Sequence, residues 1–455
     1  MATITSINPA TGQSLASFEI LGPADVDAAL DKAVAAQLAW REQPIETRQA
    51  VLRGLAKALR DSAATHAALI TAEMGKPLAE ARAEIEKCAW TCEHYAEHGP
   101  TYLASEPVVT SASLSYVAYD PLGVVLAIMP WNFPFWQFFR FAAPAIMAGN
   151  GMLLKHASNV PQCALAIEKV CAEAGLPSGL MRTLLIGADQ VETLIADPRV
   201  AAVTLTGSSE VGAKVAAQAG AHLKKQVLEL GGSDPFLVLA DADIDAAAKA
   251  AAVSRFRNAG QSCIAAKRFI VVEDIADAFA DAFQREIEAL TVGDPTLETT
   301  LVGPMARDNL RQDLIAQVDT SVKQGARVLT GGHVIDGPGF FYAPTLLDHV
   351  TPDMPVFTEE TFGPVAALIR VKDVDDAVRL ANDTEYGLGA AIWSRDTAKA
   401  QIIARRIEAG SVFINAVVAS DARLPFGGVK RSGYGRELGA LGLREFTNIK
   451  TVWVG

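Results

Sequence analysis

The chain has 455 residues, half of them hydrophobic, and its 40 lysines and arginines stand against 52 aspartates and glutamates, for a formal net charge of -12. This length exceeds one ordinary core and predicts two or more domains. The acidic balance argues against a nucleic-acid partner, and the composition is typical of a globular α/β enzyme.

The amino-terminal residues show no basic head followed by an apolar run, so the sequence predicts no secretory signal and a cytoplasmic location. The five cysteines are odd in number and lack CxxC spacing, which fits reduced thiols. The longest apolar stretch, 124–139, is short for a membrane span and is interrupted by Pro130, Asn132 and Pro134. We interpret it as buried strand and loop.

Helices are predicted first along the chain, because residues 24–59 and 60–95 place apolar side chains at helical spacing. Residues 113–126 then alternate and are rich in β-branched side chains. Strand-like and helical runs follow in turn; the runs are 151–154, 163–174, 183–186, 203–205, 212–218 and 226–228. That alternation predicts a parallel, doubly wound sheet.

A second series of strand-like runs starts at 235–239 and continues through 269–272 and 366–369 to 411–415. We place a domain boundary near Gly231 and Gly232. No repeat of fixed period and no low-complexity linker separates the two series, so the domains are expected to pack closely.

A thiol and a carboxylate, each beside glycines, are the first candidates for chemistry. Cys263 ends the run 257–263 and lies thirty-four residues after Glu229, which is followed by Gly231 and Gly232. A thiol nucleophile and a carboxylate base are what covalent oxidation of an aldehyde requires. Taken alone, the cysteine fits a small buried hydrophobe better, and the glutamate fits a surface carboxylate at a strand end.

Four motifs occur in order: Pro-Trp-Asn-Phe-Pro at 130–134, Leu-Glu-Leu-Gly-Gly at 228–232, Gly-Gln-Ser-Cys at 260–263 and Glu-Thr-Phe-Gly-Pro at 360–364. With these motifs the chain resembles the aldehyde dehydrogenase superfamily, over essentially its whole length. The motif context favours the reactive interpretation of the cysteine and the glutamate.

The resemblance implies an α/β aldehyde dehydrogenase fold with a Rossmann-like cofactor domain, an α/β catalytic domain and a small β extension for oligomerisation. We assign residues 1–100 and 121–231 to the first, 232–435 to the second, and 101–120 with 436–455 to the third. In the family the carboxy-terminal strand, here at 450–453, completes a partner's sheet, which implies a homodimer or a homotetramer.

The resemblance also assigns catalytic roles. Cys263 is the nucleophile that forms a thiohemiacetal and then a thioester, and the Asn132 amide with the Cys263 backbone N–H stabilises the oxyanion. Glu229 is the general base that activates water. Glu437 relays protons behind Glu229, and an exposed glutamate at a helix start is the alternative.

The cofactor site is weaker as a local pattern, because residues 206–212 are not the GxGxxG fingerprint. They do follow a strand-like run and open a helix, where a helix amino end favours pyrophosphate. By resemblance the cofactor-binding residues are Trp131, Lys155, Ser158, Gly207, Ser208, Gly212, Glu360 and Phe362. A plain helix cap is the alternative for Ser208, and core packing is the alternative for Phe362.

Lys155-His156-Ala157-Ser158 departs from the family's common Lys-Pro-Ser-Glu. The missing glutamate binds the adenosine ribose and would repel a 2′-phosphate, whereas Ser158 is neutral and lies near the Lys155 cation. We therefore predict that NADP is preferred and that NAD is also used. The alternative is that Ser158 only caps a helix starting near Asn159.

Substrate class is predicted from cations that the mechanism does not need. Arg140 and Arg257 match positions that succinate semialdehyde dehydrogenases use to bind a carboxylate, and Ser420 matches that group's carboxylate-binding serine. Two structural arginines in salt bridges are the alternative. Bulky side chains would narrow the tunnel, namely Phe135, Trp136, Phe138 and Phe139. Asp421 and Arg423 depart from the usual small residues and leave the preferred chain length open.

The sequence therefore predicts NAD(P)-dependent oxidation of succinate semialdehyde to succinate, in 4-aminobutyrate or related catabolism. Glutarate semialdehyde, a general aliphatic aldehyde and a CoA-acylating reaction remain alternatives, as does a non-catalytic relative. Retention of Asn132, Glu229, Cys263 and Glu360 argues against the last. No metal site is predicted, because Cys88 and its neighbours match no zinc spacing.

Overall fold

The computed structural model describes residues 3–455. Its strands, in chain order, are β1 (Thr3–Ile7), β2 (Ser14–Glu19), β3 (Glu106–Pro107), β4 (Leu114–Pro121), β5 (Val124–Met129), β6 (Gly151–His156), β7 (Met181–Thr183), β8 (Val200–Thr206), β9 (Lys225–Glu229), β10 (Asp234–Val238), β11 (Ala266–Val272), β12 (Arg327–Thr330), β13 (Thr345–Asp348), β14 (Val365–Val371), β15 (Gly389–Trp393), β16 (Ser411–Ile414), β17 (Gly433–Tyr434) and β18 (Thr447–Val454).

The α-helices in the same range are α1 (Pro23–Arg41), α2 (Ile45–Asp61), α3 (Ala63–Met74), α4 (Leu78–Leu103), α5 (Pro134–Ala148), α6 (Pro161–Glu173), α7 (Val191–Ala196), α8 (Ser209–Ala221), α9 (Ile244–Phe256), α10 (Glu273–Glu288), α11 (Asp308–Lys323), α12 (Pro355–Thr358), α13 (Val374–Asn382), α14 (Thr397–Ala404) and α15 (Gly439–Glu445). None of these helices has the length and apolar character that a membrane crossing requires.

The first large sheet has six strands in the order β17-β9-β8-β5-β6-β7. Its strands run parallel except β17, which pairs antiparallel with β9. The central strand β5 reads Val-Val-Leu-Ala-Ile-Met and is buried almost throughout, as expected for a strand covered on both faces. The predicted doubly wound parallel sheet is confirmed, although β7 begins two residues before the predicted run 183–186.

One segment of this region differs from its prediction. After β5 the chain forms only a short loop, and α5 begins at Pro134. Proline is favoured in the first turn of a helix, where its missing N–H has no intrahelical partner anyway. The interpretation of 124–139 as strand followed by loop is therefore wrong from residue 134 onward, and α5 is buried along its whole length.

The helical prediction for residues 24–95 is confirmed, with the run divided among α1 to α4. Helices α2, α4 and α5 pack together with α6 around one apolar core that covers a face of the first sheet. This packing fixes the inner face of α4, whose side chains reach the site described below.

The second large sheet has seven strands in the order β12-β13-β14-β11-β10-β15-β16, and only β12 is antiparallel to its neighbour. The strands predicted at 235, 269, 366 and 411 are all present. β12, β13 and β15 were not predicted. β15 reads Gly-Ala-Ala-Ile-Trp, and its small residues gave little strand signal.

A third sheet has three strands in the order β18-β4-β3. The central strand β4 pairs antiparallel with β18 on one side and with β3 on the other. The outer strand β18 exposes 62% of Ile449 and 55% of Trp453. Apolar side chains on an unpaired strand edge are a template for another strand. The assignment of domain limits remains a prediction.

The parallel order of the first sheet explains where the site lies. Residues that follow parallel strands meet at one edge of the sheet, outside the carboxyl ends. Asn132 follows β5, Ser158 follows β6, Gly207 follows β8 and Glu229 ends β9. From there the chain crosses through Gly231 and Gly232 into the second sheet.

Candidate active site

The segment ahead of Cys263 has an unusual backbone. Asn258 and Ala259 adopt φ values of 53° and 51°, and Gly260 follows at 75°. Left-handed conformations cost energy for residues that carry a Cβ and persist only where the surroundings enforce them. Here the Asn258 side-chain amide donates to the carbonyl oxygen of Asn132, at 2.9 Å, and to that of Gln261, at 3.2 Å.

A buried lysine that the sequence analysis missed holds the other side of this segment. Lys267 Nζ donates to the carbonyl oxygens of Ser262 and Cys263, both at 3.0 Å, and of Ala265 at 3.2 Å. Its ammonium also lies 3.8 Å from the Glu360 carboxylate. Lys267 therefore fixes the cysteine backbone and brings positive charge close to the thiol.

The thiol of Cys263 lines a cavity and is protonated at neutral pH. Burial raises its pKa to about 12, with the Glu229 and Glu360 carboxylates acting in the same direction and the Arg140 and Lys267 cations opposing them. A thiol in this state needs a base to become a nucleophile.

Asn132 lies against the cysteine segment. Its Nδ2 donates to the Gln261 carbonyl at 3.1 Å, and its Oδ1 accepts from the Phe133 backbone N–H at 3.1 Å. Within residues 3–455 the backbone N–H of Cys263 donates to no protein acceptor. The two predicted oxyanion donors are thus carried by adjoining segments, and one of them is free.

Glu229, Glu437 and Arg140 form what we call the carboxylate cluster. All three side chains are buried, and Arg140 is ion-paired with Glu437. Burial raises the pKa of Glu229 well above its ordinary value, with Arg140 opposing and Glu437 reinforcing the rise. Burial likewise raises the pKa of Glu437, which Arg140 opposes.

Two alternatives from the sequence fail at this cluster. Glu437 is not an exposed glutamate at a helix start, since only 3% of it is accessible and α15 begins two residues later. Glu229 is not a surface carboxylate. Neither oxygen of Glu229 accepts a hydrogen bond from the residues described, so the carboxylate keeps its acceptor capacity for a proton.

The two glycines after Glu229 are required by close approach. A Cβ at Gly232 would lie 2.6 Å from the carbonyl oxygen of Cys263, and a Cβ at Gly231 would lie 2.6 Å from a Glu360 oxygen. The Gly232 backbone N–H donates to Glu360 at 3.0 Å. The crossing segment therefore packs the base strand directly against the cysteine segment.

Cys263 opens into a cavity of about 360 Å³. Its charged and polar lining includes Glu80, Glu84, Lys87, Arg140, Arg257 and Ser420, and its aromatic lining is Phe133, Trp136 and Phe426. The expectation that α5 narrows the tunnel with four aromatic side chains is wrong for three of them: Phe135, Phe138 and Phe139 are fully buried in the core behind it.

Arg140 and Arg257 lie in the same cavity wall but differ in their partners. The Arg140 guanidinium is held by Glu437, donates from Nη2 to Thr206 at 3.3 Å and stacks on Phe426 with 4.7 Å between its central carbon and the ring centroid. The salt-bridge alternative thus applies to Arg140. Arg257 is exposed and pairs with no carboxylate of the described chain.

Ser420 has a partner that sequence reasoning missed. Lys87, on α4, donates from Nζ to the Ser420 hydroxyl oxygen at 2.8 Å. The neighbouring Asp421 and Arg423 pair with each other at 2.6 Å and do not line the cavity. We call Lys87, Arg257 and Ser420 the cation cluster.

A second cavity, of about 470 Å³, is lined partly by Glu360 and Phe362. The Phe362 ring meets Trp131 edge to face, with 5.8 Å between centroids, and both side chains are half-buried. Core packing is therefore not the role of Phe362. The cavity lies beside the site of Cys263, because Lys267 contacts both Glu360 and the cysteine segment.

The amino end of α8 carries the predicted phosphate residues. The Ser208 hydroxyl caps this helix by accepting from the Val211 N–H at 3.4 Å, as its alternative anticipated. Gly212 faces the strand side, and a Cβ there would collide with Leu230. A Cβ at Gly207 would meet only Leu205, at 3.6 Å, so the room for a pyrophosphate beside the N–H donors of the helix amino end lies at Gly207.

Lys155 and Ser158 lie at the end of β6 and in the loop that follows. Lys155 is half-buried, its pKa is lowered by burial, and no carboxylate in residues 3–455 pairs with it. Ser158 is exposed and does not cap α6, which begins at Pro161 with Val160 as its cap residue. An unpaired ammonium beside a neutral hydroxyl fits a phosphate better than a ribose alone.

The whole arrangement matches known proteins closely. The model of the aldehyde dehydrogenase family matches residues 1–452. The chain is 52% identical to succinate semialdehyde dehydrogenase [NAD(P)+] Sad of Escherichia coli strain K12, covering 98% of this chain and 97% of that one. It is 50% identical to a succinate-semialdehyde dehydrogenase [NADP(+)] of Mycolicibacterium paratuberculosis, with 99% and 97% covered.

Among solved structures, succinic semialdehyde dehydrogenase from Streptococcus pyogenes, in complex with NADP+, superposes with a TM-score of 0.97. It is 38% identical, and 99% of each chain is covered. The chain therefore matches these relatives along its full length, in sequence and in fold.

Proposed function

The chain belongs to the aldehyde dehydrogenase family, and from that premise we propose that it oxidises succinate semialdehyde to succinate with NADP, and also with NAD. The observation that carries the proposal is the cavity of Cys263, whose lining includes three cations. Lys87 and Arg257 have no carboxylate partner among the described residues, so a substrate carboxylate can supply one. The names of the relatives above agree with this substrate.

The reaction begins with Cys263. Glu229 accepts the thiol proton, and the Sγ atom then attacks the aldehyde carbon to give a thiohemiacetal. The negative charge on the aldehyde oxygen is stabilised by Asn132 Nδ2 and the Cys263 backbone N–H. Burial raises the pKa of Glu229, which makes its carboxylate a stronger base toward the Cys263 thiol than an exposed glutamate would be.

A nicotinamide dinucleotide held beside Glu360 and Phe362 would supply the hydride acceptor for the carbon attached to Cys263, so that a thioester would remain on the cysteine. Once Glu229 has passed the thiol proton to Glu437, it takes a proton from water, the water oxygen attacks the thioester carbon, and Cys263 leaves as a thiolate. Glu437 lies behind Glu229 and takes protons from it, with Arg140 balancing the charge. The product is the free acid, so no CoA is needed.

Cofactor choice rests on Lys155 and Ser158. We propose that Lys155 pairs with the 2′-phosphate of NADP while Ser158 donates a hydrogen bond, and that Ser208, Gly207, Gly212 and Trp131 accommodate the pyrophosphate. Glu360 and Phe362 hold the nicotinamide ribose and ring.

Ser158→Glu is expected to lower kcat/KM with NADP by about tenfold or more relative to NAD, because like charges repel. Ser178→Glu is the matched control. Ser178 is exposed and precedes β7, so it lies at the amino-terminal end of the parallel strands, whereas Ser158 lies beyond their carboxyl ends. An unchanged cofactor ratio in Ser158→Glu would refute the assignment of Ser158.

We also propose that the chain forms a homodimer or homotetramer through β18, whose exposed edge carries Ile449 and Trp453. Transamination of 4-aminobutyrate yields succinate semialdehyde, so we place the enzyme in that catabolism, in the cytoplasm. Light scattering of the purified protein measures the assembly directly, and a monomer would overturn that part of the proposal.

The experiment that tests the function compares initial rates on succinate semialdehyde, glutarate semialdehyde and butyraldehyde with each cofactor, and repeats them with Cys263→Ala. The highest kcat/KM is expected for succinate semialdehyde, and none should remain in the variant. A preference for glutarate semialdehyde or equal rates on butyraldehyde would contradict the substrate assignment. No turnover on any aldehyde would contradict the enzymatic role.

A further inference from the structure

Lys87 stands apart from the residues that the motifs identify. It lies on α4, is half-buried, and places its ammonium 4.2 Å from the ring centroid of Trp136 and 2.8 Å from the Ser420 hydroxyl oxygen. Both neighbours line the cavity of Cys263, as Lys87 itself does. No carboxylate in residues 3–455 forms an ion pair with it.

This environment is costly for a cation. Desolvation by burial disfavours the charged form, and the guanidinium groups of Arg140, on α5, and Arg257, after α9, add repulsion. Opposing them are the Cys88 thiol on α4 and Asp421 on the loop after β16, of which Asp421 already pairs with Arg423. Together these effects lower the pKa of Lys87 to about 8.

The hydrogen bond to Ser420 has a directional consequence. An ammonium can only donate, so the Ser420 oxygen accepts from Lys87. The Ser420 hydroxyl proton is then free to donate to another acceptor in the cavity. Lys87 retains two further N–H donors, which have no protein acceptor within the described chain.

On the basis of the proposed function, we propose that Lys87 is a specificity-determining residue that binds the substrate's carboxylate directly and orients the Ser420 hydroxyl as a second donor to it. Arg257 supplies a third donor group. Arg140, held by Glu437 and Thr206, contributes its charge and its free Nη1 group from the cavity wall.

The proposal predicts a specific pH dependence. Lys87 attracts a carboxylate only while it is protonated, which is the case below about pH 8. The ratio of kcat/KM for succinate semialdehyde to that for butyraldehyde is therefore expected to fall as pH rises through about 8. Titration of Cys263 or Glu229 changes kcat/KM for both aldehydes by the same factor, so it cancels in the ratio.

The test uses the intact enzyme and three variants: Lys87→Met, Lys87→Arg and, as the control, Lys32→Met on the exposed face of α1. Lys87→Met is expected to raise KM for succinate semialdehyde by about tenfold or more, with little change for butyraldehyde, because a charge-assisted hydrogen bond is lost. It should also abolish the pH dependence of the ratio. Lys87→Arg should retain the preference and keep it at high pH, since arginine does not lose its proton there.

Two failures are distinguishable. If the unmodified enzyme does not prefer succinate semialdehyde to butyraldehyde, the proposed function fails. Suppose instead that the unmodified enzyme shows the preference, while Lys87→Met lowers kcat/KM equally for both aldehydes or leaves the ratio and its pH profile unchanged. In that case Lys87 is structural and this inference fails. Melting temperatures of all variants show whether a loss on both substrates comes from unfolding.

Discussion

The carboxylate cluster and the cation cluster are neighbours with opposite charge balance. In the first, Glu437 is ion-paired with Arg140, whose charge also acts on Glu229, and both carboxyl groups have raised pKa values because they are buried. In the second, Lys87 donates to Ser420, and Lys87 and Arg257 line the same cavity without an ion pair to any carboxylate of the described chain. One cluster has an excess of acid, the other an excess of positive charge.

The difference separates two tasks. An excess of buried carboxylate suits proton transfer, because burial raises the pKa of each carboxyl group and makes its ionised form a stronger base. An excess of cation suits binding of an anion, because neither Lys87 nor Arg257 is ion-paired with a carboxylate of the described residues, although Glu80 and Glu84 line the same cavity. Changes in the carboxylate cluster should thus affect every aldehyde, and changes in the cation cluster should affect only charged ones.

The largest effect is expected at Glu229. Glu229→Gln removes the base and should lower kcat by about 10² to 10⁴ on succinate semialdehyde and butyraldehyde alike. In the unmodified enzyme the rate should rise with pH through the raised pKa of Glu229, because only the deprotonated form accepts a proton. Steady-state rates from pH 5 to 9 measure both effects.

The matched control is Glu192→Gln, at an exposed glutamate on α7. If Glu229→Gln lowered the rate only on succinate semialdehyde, Glu229 would belong to the substrate-binding site. The contrast between the carboxylate cluster and the cation cluster would then fail.

A smaller and more selective effect is expected at Arg257. Arg257→Ala should raise KM for succinate semialdehyde by about tenfold while leaving kcat and the butyraldehyde parameters nearly unchanged. Arg53→Ala, at an exposed arginine on α2, controls for loss of surface charge. Equal losses on both aldehydes would show that the cation cluster does not act on charge.

The smallest effect is expected at Glu437. Its negative charge raises the pKa of Glu229, so Glu437→Gln should lower that pKa and shift the rising limb of the kcat profile to lower pH. At high pH, loss of the proton relay should reduce kcat by at most about tenfold. A profile that shifts to higher pH would contradict the coupling between the two carboxylates.

Much of this architecture could be predicted from the sequence because it depends on local pattern. The alternation of apolar runs and helical segments predicts a parallel sheet, but not the order of its strands, and Gly231 and Gly232 after Glu229 lie where backbones approach closely. The buried strand β15 was not predicted, because small residues such as Ala390 and Ala391 have a weak preference for strands.

The cation cluster could be predicted only in part, because its contacts join distant segments. Lys87 is 333 positions away from Ser420 and lies on a helix where a lysine normally marks a solvated face. Lys267 likewise looks like an ordinary strand residue until the Cys263 carbonyl is placed beside it. Arg140 and Glu437 were both singled out from the sequence, but their ion pair was not predicted because the two residues are far apart along the chain.

The left-handed backbone at Asn258 and Ala259 has a consequence for heat resistance. Each such residue costs on the order of 1 kcal/mol, and the remaining contacts of the fold must offset that energy. Ala259→Gly would relieve part of that strain, but glycine also loses more backbone entropy on folding, so the net gain in stability is expected to be below about 1 kcal/mol.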